Sequence, residues 1–176
     1  MIIWINGPFG VGKTTTADAL KALIPHAIVF DPEEIGFLLR DLIPVPTGDF
    51  QDLPAWRRLT IATIAEVVES TSRTVIAPMT LLEEAYAEEI FAGLAKRSLD
   101  TLHVALHADQ HALRERIVMH DLFPGDPERS SAARDWRLSH LATYSEALPW
   151  ITSRAHLIDT TDLAPAETAQ AILAVP

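Results

Sequence analysis

With 176 residues, 48% hydrophobic and 22% charged, and no cysteine, the chain has the make-up of one soluble domain that can bury a core, without disulfides or thiolate-held zinc. A formal net charge of −10, with three Lys and eleven Arg, excludes the basic surface on which nucleic-acid binding depends. No apolar run approaches the ~20 residues of a membrane span and no charged-then-apolar leader precedes the first apolar run, so a cytoplasmic protein without a membrane segment is expected.

The run Ile2-Ile3-Trp4-Ile5 predicts a buried strand and leads straight into Gly7-Pro8-Phe9-Gly10-Val11-Gly12-Lys13-Thr14. This octet fits the phosphate-loop pattern G-x-x-x-x-G-K-[ST] and has the strand before it and the helix after it that the pattern requires. The glycines let successive backbone N–H groups turn toward phosphates, and the following helix points its positive dipole end to the same place. Lys13 then reaches the β- and γ-phosphates, the Thr14 hydroxyl is the ligand to the bridging Mg²⁺, and Thr15 adds a donor to the α-phosphate. ATP or GTP is the expected ligand.

Thr14 to Ile24 reads as a helix with Ala17, Leu20, Leu23 and Ile24 at helical spacing, stopped by Pro25. Ala27-Ile28-Val29-Phe30 is a second strand ending on Asp31, and Pro32-Glu33-Glu34 opens a helix to about Leu42 with its acids in the first turn. Residues 43–54 form a loop rich in proline, and Asp52 is the expected N-cap of a helix reaching about Ser72. Thr74 to Ala77 is strand three, closed by Pro78, and Leu81 to Lys96 a helix. Thr101 to Leu106 is strand four, with Asp109 capping the next helix. Pro124, Gly125 and Pro127 break any helix over residues 120–131, which reads as a mobile lid in a single domain, 1–176. Ala132 to Leu148 is helical, Ala155 to Ile158 is strand five, and Pro165 to Leu173 the last helix. Strands alternate with helices, and their apolar runs are continuous, as in a parallel α/β sandwich with both sheet faces covered.

Ligands in such sheets bind beyond the carboxyl ends of the strands, which singles out Asp31. Two roles fit it: a base that takes the proton from an attacking hydroxyl, and an N-cap with Pro32 at the first helical position. Strand three ends in Ala77-Pro78-Met79-Thr80 rather than in an acid, which weighs against a motor or switch NTPase and toward a small-molecule kinase. Arg116, Arg134 and Arg137 flank the lid and are candidates to stabilise a transferring phosphoryl group, the last two sharing a helix face. Arg40, Trp56 and Met79, with Phe50, are candidates for the acceptor side; each also suits a bland role, as a helix-end charge or core residue. Histidines 103, 107, 111 and 120 fall on different elements and carry no metal-ligand motif.

The opening Ile2-Ile3-Trp4-Ile5-Asn6-Gly7-Pro8-Phe9-Gly10-Val11-Gly12-Lys13-Thr14, with Asp31-Pro32-Glu33-Glu34 and Leu157-Ile158-Asp159-Thr160-Thr161, resembles the tunicamycin-resistance protein family, within the P-loop kinases of the nucleoside-monophosphate, shikimate and gluconate kinase type. The resemblance implies a P-loop three-layer α/β/α sandwich, five parallel strands in the order 2-3-1-4-5, and ATP with Mg²⁺ in the loop. It also implies adenine near the segment after strand five, at Thr160. It further implies protection against a tunicamycin-type nucleoside antibiotic, by phosphorylating a hydroxyl or by ATP-gated sequestration; a housekeeping metabolite kinase shares the first mechanism. Related antibiotic kinases place an acidic base where Asp31 falls. One departure stands out: the Arg-x-x-Arg that leads into such lids is absent, since Met119 follows Arg116 by three.

Overall fold

The computed structural model describes residues 1–176. Five strands, β1 (Ile2–Asn6), β2 (Ile28–Val29), β3 (Val75–Pro78), β4 (Thr101–His107) and β5 (His156–Asp159), form one parallel sheet in the order β2-β3-β1-β4-β5. Seven helices connect and cover it: α1 (Lys13–Leu23), α2 (Glu33–Arg40), α3 (Pro54–Thr71), α4 (Glu84–Ala95), α5 (Gln110–Met119), α6 (Pro127–Arg154) and α7 (Pro165–Leu173). No helix is long and apolar enough to cross a membrane.

All five residues of β1 are buried, because the strand sits at the centre of the sheet with helices on both faces. Its alternate side chains divide the core in two. Ile3 and Ile5 join Leu20, Leu113, Ile151 and Ile172, whereas Ile2 and Trp4 join Trp56, Ile64, Ile90 and Leu94. Full burial of each such side chain contributes about 1.5–3 kcal/mol, so the central strand is the most strongly held. The edges differ from the expectation that both faces are covered. β5 is largely exposed, with Leu157 40% accessible, because an edge strand has a neighbour on one side alone.

Three sequence expectations are corrected by local chemistry. Asp52 does not cap α3; it lies in a 3₁₀ turn (Phe50–Asp52) whose cap is Asp49, and α3 instead begins with Pro54 in its first turn. The Leu81–Lys96 helix starts only at Glu84, because residues 79–83 carry no helix and the N-cap Glu83 has an extended backbone. The helical break over 120–131 is shorter than expected, because Asp126 accepts from the Arg129 N–H and Pro127 occupies a first-turn position where no N–H is needed. The helix then runs through Pro149 to Arg154, held by the buried Ala147 and Ile151 on either side.

The remaining turn, 120–126, is tied by Ser130. Its hydroxyl donates to the Asp121 carboxylate at 2.6 Å and accepts from the Phe123 N–H, while the Arg129 guanidinium lies 3.8 Å over the Phe123 ring. On the opposite side of the site, α2 meets the Phe50–Asp52 turn closely. A Cβ on Gly36 would lie 2.5 Å from the Phe50 ring, so no larger residue fits there without moving the turn.

Candidate functional site

The phosphate loop takes its shape from glycines that no other residue replaces cheaply. Gly7 has φ +136°, and a Cβ on it would stand 2.5 Å from the Leu106 carbonyl of β4. Gly12, at φ +96°, forms the N-cap of α1, and its carbonyl accepts the first intrahelical bond, from the Thr16 N–H at 2.9 Å. Asn6 anchors the loop to the sheet. Its side chain accepts from the N–H groups of Gly7 and Leu81 and donates to the Leu81 carbonyl, and the Thr80 hydroxyl donates to the Gly7 carbonyl.

The loop opens into a cleft of about 480 Å³ that also receives Asp31, Glu33, Arg116, His120, Arg137 and Thr160. Phe9, Gly10, Val11, Gly12, Lys13, Thr14 and Thr15 line it, whereas Gly7 and Pro8 do not and instead hold Lys13, their carbonyls accepting from its Nζ at 3.0 and 2.9 Å. Burial is the largest influence on this ammonium, and it lowers the Lys13 pKa to about 7. Glu33 and Asp31 oppose that shift and Arg137 adds to it.

Asp31 stands one residue before Pro32, which, and not Asp31, is the N-cap of α2, and it lines the cleft. Its Oδ1 accepts from the Glu33 N–H at 2.9 Å, which ties the strand end to the first turn of α2 next to the cleft that Lys13 also lines. Burial raises its pKa, with the Glu33 N–H pulling the other way. Glu33 is a cleft residue that sequence reasoning treated only as a helix-dipole acid. Burial raises its pKa too, Asp31 adds to the rise, and Lys13 and Arg137 resist it. The available signal was its place in the first turn, whose side chains crowd the same helix end as Asp31.

Among the arginines, Arg137 and Arg116 enter the cleft and Arg134 does not. Three residues along a helix advance about 300°, so Arg134 is turned roughly 60° away from Arg137 and lies about 4.5 Å nearer the 120–126 segment. Its Nε is buried without a hydrogen-bond partner. Arg137 sits 5.7 Å from the Phe9 ring and 3.4 Å from His120 Nδ1, and burial lowers its pKa. Arg116 Nη2 donates to the carbonyls of Thr160 and Thr161 at 3.0 and 2.9 Å, clamping the segment after β5 to α5. Arg116→Ala removes two charge-assisted hydrogen bonds. The expected result, in a nucleotide titration, is affinity weakened about tenfold, with Arg116→Lys recovering only part because it lacks the planar fork.

The acceptor residues expected from sequence are placed elsewhere. Trp56 is wholly buried, with its indole N–H donating to the Pro32 carbonyl, and Met79 is 3% exposed in the same core. Arg40 stands at the far end of α2, roughly 13 Å along the helix from Asp31, with its guanidinium on the Phe37 ring. Phe50 packs against Trp56. The four histidines stand apart: His103 is buried against Phe91, His107 bonds Tyr144, His111 faces Glu115, and His120 alone reaches the cleft.

Metal binding by protein groups alone has no support, since no three acids or histidines converge. The cleft does fit Mg²⁺ carried in on phosphates, because the exposed Thr14 hydroxyl and two carboxylates with raised proton affinity share it.

Neither a family model nor a curated sequence matches the chain. Solved structures do. The tunicamycin resistance protein of Deinococcus radiodurans is 30% identical, spanning 98% of this chain and 93% of that one, with a TM-score of 0.71. A gluconokinase from Sinorhizobium meliloti (21% identity, 98% and 89% covered, TM-score 0.60) has the same fold. So does the APS kinase of Mycobacterium tuberculosis, solved with AMPPNP and APS (16%, 98% and 94%, 0.61). The fold is thus that of the P-loop kinases, and with 30% identity carried along nearly its whole length the chain belongs to the family of tunicamycin-resistance proteins.

Proposed function

We propose that the protein is an ATP-dependent phosphotransferase acting on a hydroxyl of a small molecule, and that it protects against a nucleoside antibiotic of the tunicamycin type. The observation that carries the chemistry is the meeting of Lys13, Asp31, Glu33 and Arg137 around one phosphate loop. The family membership carries the antibiotic.

ATP lies with its phosphates in the loop and its base beside Thr160, Leu163 and Pro165, which line the far end of the cleft. Lys13 leaves the carbonyls of Gly7 and Pro8 to meet the β- and γ-phosphates. Mg²⁺ would be held by the Thr14 hydroxyl together with the phosphates, and it would supply charge neutralisation there. The acceptor oxygen bonds to the γ-phosphorus as the bond from that phosphorus to the β–γ bridging oxygen breaks, ADP leaves, and the hydroxyl proton passes to Asp31. Arg137 stabilises the charge spread over the transferring group. The turn over residues 120–126 acts as the lid, and Arg137, 3.4 Å from His120 Nδ1, couples lid position to the phosphates.

A second reading, ATP-gated sequestration, is favoured by the engagement of Asp31 Oδ1 with the first turn of α2. Mass spectrometry of tunicamycin and a nucleoside panel incubated with protein, ATP and Mg²⁺ decides between them. Addition of one phosphate to any member is the expected outcome. An unmodified panel with tight ATP-dependent binding of the antibiotic establishes sequestration instead.

A further inference from the structure

A hollow of about 760 Å³, larger than the phosphate cleft, lies on one face of the sheet toward the start of β4, and the two share no residue. Thr101 and His103 of β4 form its floor. At ~3.3 Å per residue, His103 stands about 13 Å short of His107 at the carboxyl end of that strand, the end that holds the phosphate loop. One wall is α4, which turns Ala87, Phe91 and Ala95 toward the hollow, with Ala92 beside them. Short alanine side chains there leave the space between α4 and α6 unfilled. Trp150 and Arg154 of α6 make the opposite wall. The Trp150 indole N–H donates to the Leu82 carbonyl at 3.1 Å, and Arg154 pairs with Glu84 and Glu88 at 3.3 and 2.8 Å, which holds both side chains at the rim.

The floor carries two polar atoms without a partner. His103 Nε2 and Thr101 Oγ1 are both buried and unbonded, and residues two apart on a strand point to the same face. His103 is only 9% exposed, and burial lowers its pKa to about 4, so the ring is neutral. A hydrogen bond to the Arg154 backbone works against that shift, the mark of a ring N–H given to a carbonyl. Since Nε2 has no partner, the other ring nitrogen makes that bond and carries the proton, and Nε2 keeps a lone pair with nothing to receive. A buried acceptor in this state is costly, and a donor brought in from outside recovers the loss. The phosphate chemistry at the far end of the strand uses neither residue.

We propose that this hollow is a second ligand site, for a flat, apolar small molecule whose N–H or O–H donates to His103 Nε2. The body of such a molecule lies against Phe91, Trp150 and the alanines, where burial of apolar and aromatic surface holds it. The single donor fixes its orientation, the usual division of labour in sites of about 300–1,000 Å³. The Thr101 hydroxyl, which both donates and accepts, receives a second polar atom where the ligand has one. Nε2 is sealed from solvent, with the Phe91 ring 4.5 Å from the imidazole, so entry of the donor requires the half-buried Phe91 to swing toward the open side.

Calorimetry and ligand-observed NMR, with the nucleotide cleft saturated by AMPPNP and Mg²⁺, test this with indole and with benzothiophene, which has the same outline and no N–H. Indole is expected to bind at least tenfold more tightly than benzothiophene. Ala92→Leu combined with Ala95→Leu fills the hollow from exposed helix positions that leucine suits. That variant is expected to weaken indole binding at least tenfold with AMPPNP affinity unchanged. His103→Phe keeps a ring in the floor without the acceptor and is expected to abolish the preference for indole. Should that buried change prevent folding, the alanine variant and the ratio of the two ligands still decide. Absence of indole binding means that water alone serves Nε2 and overturns the proposal. Equal affinity for the two ligands overturns it too, as does indole binding that the alanine variant leaves undiminished.

Discussion

Asp31→Asn is expected to lower acceptor-dependent ADP release by about 10²–10⁴-fold, the range that a positioned general base supplies. The asparagine side-chain carbonyl accepts as the carboxylate does, so the bond to the Glu33 N–H and the start of α2 survive the change. Nucleotide affinity should therefore hold, and the loss should appear in kcat. The wild-type rate also carries a pH signature. A carboxyl whose pKa is raised loses its base form as pH falls through that raised value, so the acid limb of kcat/KM lies above the ordinary carboxylate range. Turnover kept by Asn would show that Asp31 serves only to tie the strand end to α2. Glu33→Gln separates the neighbouring acid, because it removes the charge that faces Lys13 and Arg137 without touching that bond.

Lys13→Met is expected to cost about 10²–10³-fold in phosphate transfer, the effect of deleting one donor aimed at developing charge. It is also expected to change how nucleotide binding responds to pH. In the free protein the lysine pKa is lowered to about 7, so above that pH the side chain is neutral. Phosphates restore its charge, and the bound state then holds one proton more than the free state. Affinity therefore falls as pH rises above 7, by up to about tenfold per unit, until the bound-state pKa is reached. Calorimetry in buffers of different ionisation enthalpy should register proton uptake near pH 8 in the wild type and none in Lys13→Met. A wild-type affinity flat from pH 7 to 9 would mean that the lysine stays charged in the free loop.

Asp31 was legible because it ends a strand beside the phosphate loop, and strand ends are where open parallel sheets put their ligands. Glu33 was overlooked because an acid in the first turn of a helix already has a reason to be there. Arg137 and Arg134 looked equivalent three residues apart, yet only the helix rotation set against the cleft tells them apart. Trp56, named as an acceptor-side candidate and equally suited to the core, proves to be a core residue in the cluster of Trp4 and Ile64, with Phe50 packed against it.

By itself the sequence determined the phosphate loop, the alternation of strands and helices, and the acid beside the loop. These depend on contacts within a few residues: backbone turns at glycine, apolar runs of strand length, caps at helix starts. A cleft of about 220 Å³ beside the phosphate loop was decided only by tertiary structure. Phe9, Asp49, Glu83 and Trp136 are separated by dozens of residues and come together because β1, the turn after α2, the extended segment before α4 and the long helix α6 pack at one end of the sheet. No local pattern marks such residues in advance, since their side chains are ordinary for exposed turns and helices until packing turns them toward one space.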